Sequence, residues 1–144
     1  MKAITLTQPW ATLVAIGAKK IETRSWRTEH RGPIAIHAAK NMPRSASALI
    51  GREPFRRHLY PAPVYVGRPC HLPRGVIVAT AVLVAVRPTK FLSGPSVHVP
   101  DPSTDEYAFG DYTPGRFMWF LEDVVALSEP VPARGALGLW EWTP

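Results

Sequence analysis

The densest chemistry in the sequence is the octet Gly17-Ala18-Lys19-Lys20-Ile21-Glu22-Thr23-Arg24. A glycine ends one element, a lysine follows on a tight connection, and a carboxylate and a guanidinium stand two residues apart beyond it. Residues 20–26 alternate as a strand. A period of two puts Lys20, Glu22, Arg24 and Trp26 on one face, and Ile21, Thr23 and Ser25 on the other, toward the interior. Glu22 and Arg24 then point into the same space, within reach of Gln8 at the start of the preceding helix. Such a group can hold a polar heterocycle: a carboxylate accepts from ring N–H donors, while Arg and Lys donate to carbonyl or phosphate oxygens. The same spacing also fits a salt bridge that ties strand to helix and does nothing more.

Other side chains carry paired readings of the same kind. Trp26 continues the face of Glu22 and Arg24 and can stack on a base, or it packs as a ring at a barrel end. Trp10 shares a helical face with Leu13 and Val14, which makes it a core residue. His37 lies among small residues and is either a hydrogen-bonded structural group or, at a cleft border, a proton carrier near neutral pH. Arg116 can grip a phosphate or pair with Asp111. Lys40, Arg44, Arg52, Arg56 and Arg57 form a basic band on helical ground, suited to tracking phosphates or serving as a solvated face. No G-x-S-x-G, P-loop, dinucleotide glycine fingerprint or H-E-x-x-H is present. The five histidines show no metal-ligand spacing, so neither a metal nor a cofactor is expected.

The elements that must position these groups follow from periodicity and punctuation. Residues 2–6 alternate as a first strand. Thr7-Gln8-Pro9 opens a helix with a capping side chain and a proline, and Gly17 supplies its left-handed stop. Beyond the 20–26 strand, Gly32-Pro33 turns the chain into a strand over 34–38. Short helices are expected over 43–50 and 54–59, then a proline-rich loop over 61–73. The unbroken apolar run 76–86 predicts a strand buried on both faces. Residues 88–115 read as a long loop with a helical turn near 104–109, followed by strands over 116–127 and 139–142. Five or six strands with helices confined to the early connections predict an α+β fold: a small, closed or nearly closed β-barrel with an N-terminal helix and short peripheral helices.

Composition narrows the function classes. A chain of 144 residues with a 46% apolar share suits one domain over 1–144 rather than disorder. No apolar run approaches the ~20 residues that span a bilayer, so no membrane association is expected, and the start of the chain carries no signal-peptide pattern. Cys70 is the only cysteine, so no disulfide within the chain and a reducing, cytoplasmic setting are expected. The net charge of +6 is unevenly spread: residues 1–100 hold fifteen Lys and Arg against three Asp and Glu, while 101–144 hold two against eight. A basic first part favours polyanion partners.

Gly17-x-Lys19-x-x-Glu22-x-Arg24 resembles the G-x-K-x-x-E-x-R signature of ASCH domains, in the PUA-like superfamily. The surroundings are similar to that family in order along the chain: Gln8-Pro9-Trp10, Gly32-Pro33-Ile34-Ala35-Ile36-His37-Ala38, Gly75-Val76-Ile77-Val78-Ala79, Phe109-Gly110-Asp111-Tyr112, Gly115-Arg116-Phe117-Met118-Trp119 and Arg134-Gly135-Ala136-Leu137-Gly138-Leu139-Trp140. The resemblance implies a PUA-like barrel whose cleft, between first helix and barrel, is lined by the charged residues of the motif. It further implies recognition of RNA or a modified nucleoside or nucleotide. Gln8, Lys19, Glu22 and Arg24 would then form the cleft, with Trp26, His37 and Arg116 as further ligand contacts.

Enzymatic alternatives come with the same resemblance: an amidohydrolase acting on N4-acylated cytidine, or a weak ribonuclease. In an enzyme, Lys19 and Glu22 are the catalytic candidates. Lys19 would act in its neutral form, which burial or cationic neighbours promote. The amidohydrolase pattern has a threonine three residues after the lysine, where this chain has Glu22. A protein-interaction module using the proline-rich loops is a third class; it leaves the motif only a salt bridge to form.

Overall fold

The computed structural model describes residues 1–60, 71–90 and 99–144. Its chain order is β1 (Lys2–Leu6), α1 (Trp10–Ala15), β2 (Ile21–Arg24), β3 (Gly32–Ala38), α2 (Arg44–Leu49), α3 (Phe55–Leu59), β4 (Val76–Pro88), α4 (Asp105–Ala108), β5 (Phe117–Pro132) and β6 (Leu139–Glu141). Most of the loop expected over 61–73, and the part of the 88–115 loop over 91–98, lie outside the described residues.

The six strands form one sheet in the order β2-β5-β4-β3-β1-β6. Only β1 and β3 run parallel, with Thr5 opposite His37; every other neighbouring pair is antiparallel. The sheet curls into a half-barrel because β4 and β5 are long and irregularly paired. Thr80 faces Val125 and Val82 faces Glu122, so two residues of β5 oppose Ala81. Asp123 takes the left-handed conformation there, at φ 47°. A bulge of this kind bends the strand and steepens its twist. Two further register shifts in the β4–β5 pair and one between Ile36 and His37 add to the curl.

Apolar side chains of four strands fill the concave face: Ile4, Ile34, Ile36, Val78, Leu83, Trp119 and Leu121, with Val14 of α1 laid on top. A second cluster joins the helices, with Leu13 of α1, Phe55 and Leu59 of α3, and Phe109 after α4. The α+β half-barrel with peripheral helices agrees with the sequence reading.

The capping side chain expected ahead of Pro9 is that of Gln8, whose Oε1 accepts from Thr12 N at 3.0 Å. Two local expectations change. The 76–86 strand is not buried on both faces, since Val84 is 39% exposed. An antiparallel sheet leaves its outer face open wherever no helix covers it. The strand expected to end at 127 runs to Pro132, because Val131 and Pro132 resume pairing with Ile77 and Val76 after an unpaired excursion.

Candidate functional site

Lys19 leaves α1 through the Gly17 turn, at φ +77°, and its N–H bonds back to Leu13 O at 3.0 Å. That turn drives the lysine inward, leaving its side chain 1% exposed. Its ammonium donates to Ile21 O and lies 3.5 Å from Glu22 Oε2. On the other side, Arg24 Nη1 stands 3.5 Å from Glu22 Oε1. Glu22 therefore sits between two cations, 9% exposed. Both contacts are longer than the 2.7–2.9 Å of a well-made charge-assisted hydrogen bond. Among the described residues, no donor is hydrogen-bonded to either oxygen of Glu22.

Glu22 and Arg24 open into a cleft of about 380 Å³, walled by Trp10 of α1, Phe55 of α3, and Phe109, Gly110 and Asp111 after α4. Ligand pockets typically run from ~300 to 1,000 Å³. Thr23 lines this cleft too, contrary to its expected inward orientation. The reason is that β2 is an edge strand, and the segment after α4 folds over its free edge: Asp111 N donates to Thr23 Oγ1 at 2.9 Å. Arg116 completes the wall, donating to Thr23 O at 3.2 Å with its Nε 3.3 Å from Asp111 Oδ2. Hydrogen bonds from Thr113, then the Arg116 charge, hold the Asp111 carboxyl below its ordinary pKa. Beside the cleft, burial first, then the charges of Glu106 and Glu22, push the Tyr112 phenol upward, so it keeps its proton.

Several residues named from the sequence lie elsewhere. Gln8 is fully buried and used as a strut, with Nε2 donating to Pro73 O at 2.7 Å. Trp26 packs edge-on against Trp119 at 4.7 Å, under the Arg24 guanidinium at 5.7 Å. His37 is 2% exposed on the far side of β1, between Thr5 Oγ1 at 3.2 Å and Ala133 O at 3.0 Å. The basic band does not stay together. Arg57 is paired with Asp105 and Glu53 and Arg56 covers Tyr60, whereas Arg44 and Arg52 are exposed and Lys40 borders a different cavity.

Sequence reasoning missed Trp10 as a cleft wall, placing it in the core. It is half-buried, edge-on to Phe55 at 6.3 Å. It also missed Glu106, whose two oxygens accept from Lys20 N and Ile21 N at 2.9 Å each, docking α4 onto β2. Thr104-Asp105-Glu106 does carry a helix-start signal, and Thr104 Oγ1 caps Tyr107 N; nothing local says where Glu106 reaches. Among the described residues, no three His, Cys, Asp or Glu side chains gather to hold a metal, and no helix is long and apolar enough to cross a membrane.

A curled six-stranded sheet with short helices and a charged cleft between first helix and barrel defines a small PUA-like α+β barrel. The ASCH domain model matches residues 4–108, and the chain belongs to the ASCH domain family. Human Activating signal cointegrator 1 is 46% identical over 48 residues, which is 32% of this chain and 8% of that protein. The mouse protein of the same name is 45% identical over 40 residues, 28% of this chain and 7% of its own length. The chain thus matches less than a tenth of either curated relative.

Proposed function

We propose that the chain binds RNA or a modified nucleoside, receiving one base in the cleft between α1, α4 and β2. The observation that carries this reading is Glu22, a nearly buried carboxylate facing the cleft with no hydrogen bond to its oxygens. A desolvated acceptor of this kind selects a ligand edge rich in N–H donors. Arg24 and Arg116 offer donors to carbonyl or phosphate oxygens nearby, and Trp10 offers an aromatic wall.

Membership of the ASCH family supports a nucleic-acid ligand, and the basic first hundred residues support a polyanion. Binding is favoured over acyl transfer because the Lys19 amine is spent on Ile21 O and Glu22 and does not line the cleft. Incubation with N4-acetylcytidine should therefore release no cytidine; turnover lost in Lys19→Ala would reverse the assignment.

The direct test is Glu22→Gln, which keeps shape but replaces one acceptor oxygen with a donor. Nucleoside affinity should fall by ~1–3 kcal/mol, a five- to hundredfold rise in Kd. Equal affinities for wild type and variant, both verified as folded, would sink the cleft reading.

A further inference from the structure

A second cavity, of about 930 Å³, opens where the ends of β1, β3 and β5 meet the start of β4. Lys40, Arg74 and Arg134 border it, and no Asp or Glu does. All three cations are exposed, and none has an ion pair or hydrogen bond with a described residue. Its floor is polar and joined by hydrogen bonds. Thr5 Oγ1 donates to Ala136 O at 3.1 Å and accepts from Trp140 Nε1 at 3.1 Å. His37 bonds Ala133 O, and Ala133 N bonds Gly75 O at 3.1 Å.

The loop over 133–137 is thus pinned from beneath, while the N–H groups of Arg134, Gly135, Ala136 and Leu137 donate to no described group. Gly135 is needed for this approach: a Cβ there would stand 2.6 Å from His37 Nδ1 and 2.9 Å from Thr5 Oγ1. Free backbone donors on a held loop, ringed by unpaired cations, make an anion site.

The chain path connects this cavity to the cleft. Thr5 lines the cavity, while Leu6 and Thr7 line the cleft. The side chains of Thr5 and Leu6 point to opposite faces of β1, so the two linings meet around the end of that strand. Leu137, 98% exposed at the cavity rim, offers an apolar contact to a sugar or base.

We infer that this cavity is a second binding site, which takes the backbone phosphates of a single-stranded RNA whose base occupies the cleft. The inference rests on the nucleic-acid reading of that cleft. Its test uses a ten-nucleotide single-stranded RNA, with affinity followed by fluorescence anisotropy from low to physiological salt, and cytidine titrated separately to report on the cleft. Lys40→Gln/Arg134→Gln changes two exposed side chains, and its fold is checked by circular dichroism.

Each phosphate contact on a single strand contributes ~0.7 to the slope of log affinity against log salt. The double variant should bind the RNA more weakly at low salt and lower that slope by about 1.4. An unchanged affinity and slope overturns the second site even where cytidine binds. A lowered slope with no cytidine binding upholds the second site and removes the cleft reading instead. No binding of the ten-mer by the wild type overturns the second site, and absence of cytidine binding as well overturns both.

Discussion

The cleft and the basic cavity share the end of β1, yet they are built on opposite electrostatic plans. Around the cleft each cation faces a carboxylate: Arg24 at the lining and Lys19 behind it flank Glu22, and Arg116 faces Asp111. In the cavity, Lys40, Arg74 and Arg134 have no carboxylate beside them. A balanced, desolvated site gains little from long-range attraction and discriminates through unmet hydrogen bonds. An unbalanced, open site attracts any phosphate and is weakened by salt. Selection and attraction are therefore divided between adjoining regions, and each region should respond differently to being disturbed.

The largest effect is expected at the buried cation behind the cleft. Lys19→Met retains the stem but leaves Glu22 with only the half-exposed Arg24, and removing one member of a buried pair costs ~3–5 kcal/mol. Urea denaturation should show this loss, and adding Glu22→Gln should recover part of it. Additive losses would mean that the two side chains are not coupled.

Next comes the cavity floor. Gly135→Ala forces a methyl group onto His37 and Thr5, and overpacking of this kind costs about 1–3 kcal/mol. The same substitution should leave the cleft's nucleoside affinity near that of the wild type; equal damage to both would show that the regions move as one.

The smallest effect is a pH dependence confined to the cavity side. Burial holds the His37 pKa below its ordinary 6.5, against a smaller opposing contribution from Ala133 O. Below pH ~6.5 the unfolded chain therefore binds a proton that the folded chain resists, and stability falls as pH drops. The slope is at most ~1.4 kcal/mol per pH unit. Comparing melting curves of wild type and His37→Asn between pH 7.5 and 5 isolates this contribution; parallel curves would show that His37 does not set it.

Much of this architecture was legible in the order of residues. The β1 strand, the Gly17 stop, the 104–109 helical turn and the last short strand follow from alternation and punctuation, which are local. The motif octet pointed to Glu22 and Arg24 as neighbours in one cleft, because a two-residue period is also local. Gln8 and His37 were assigned to the ligand from proximity in sequence and residue type, whereas their polar atoms bond Pro73 and Ala133, far along the chain. The basic band looked continuous because its members are close in sequence; folding turned Lys40 toward Arg74 and Arg134, and Arg57 toward Asp105.

By itself the sequence determined most of the strands, the Gly17 helix stop and the nearness of Glu22 to Arg24, since each depends on neighbours a few residues apart. Only the tertiary structure decided which charges are neutralised. Glu106 closes on β2 from eighty-six residues away, Asp111 covers Thr23 from eighty-eight, and the 133–137 loop settles on His37 from ninety-six. Whether a cation keeps a free charge depends on what the curled sheet carries next to it, and that curl comes from bulges between strands rather than from any one segment.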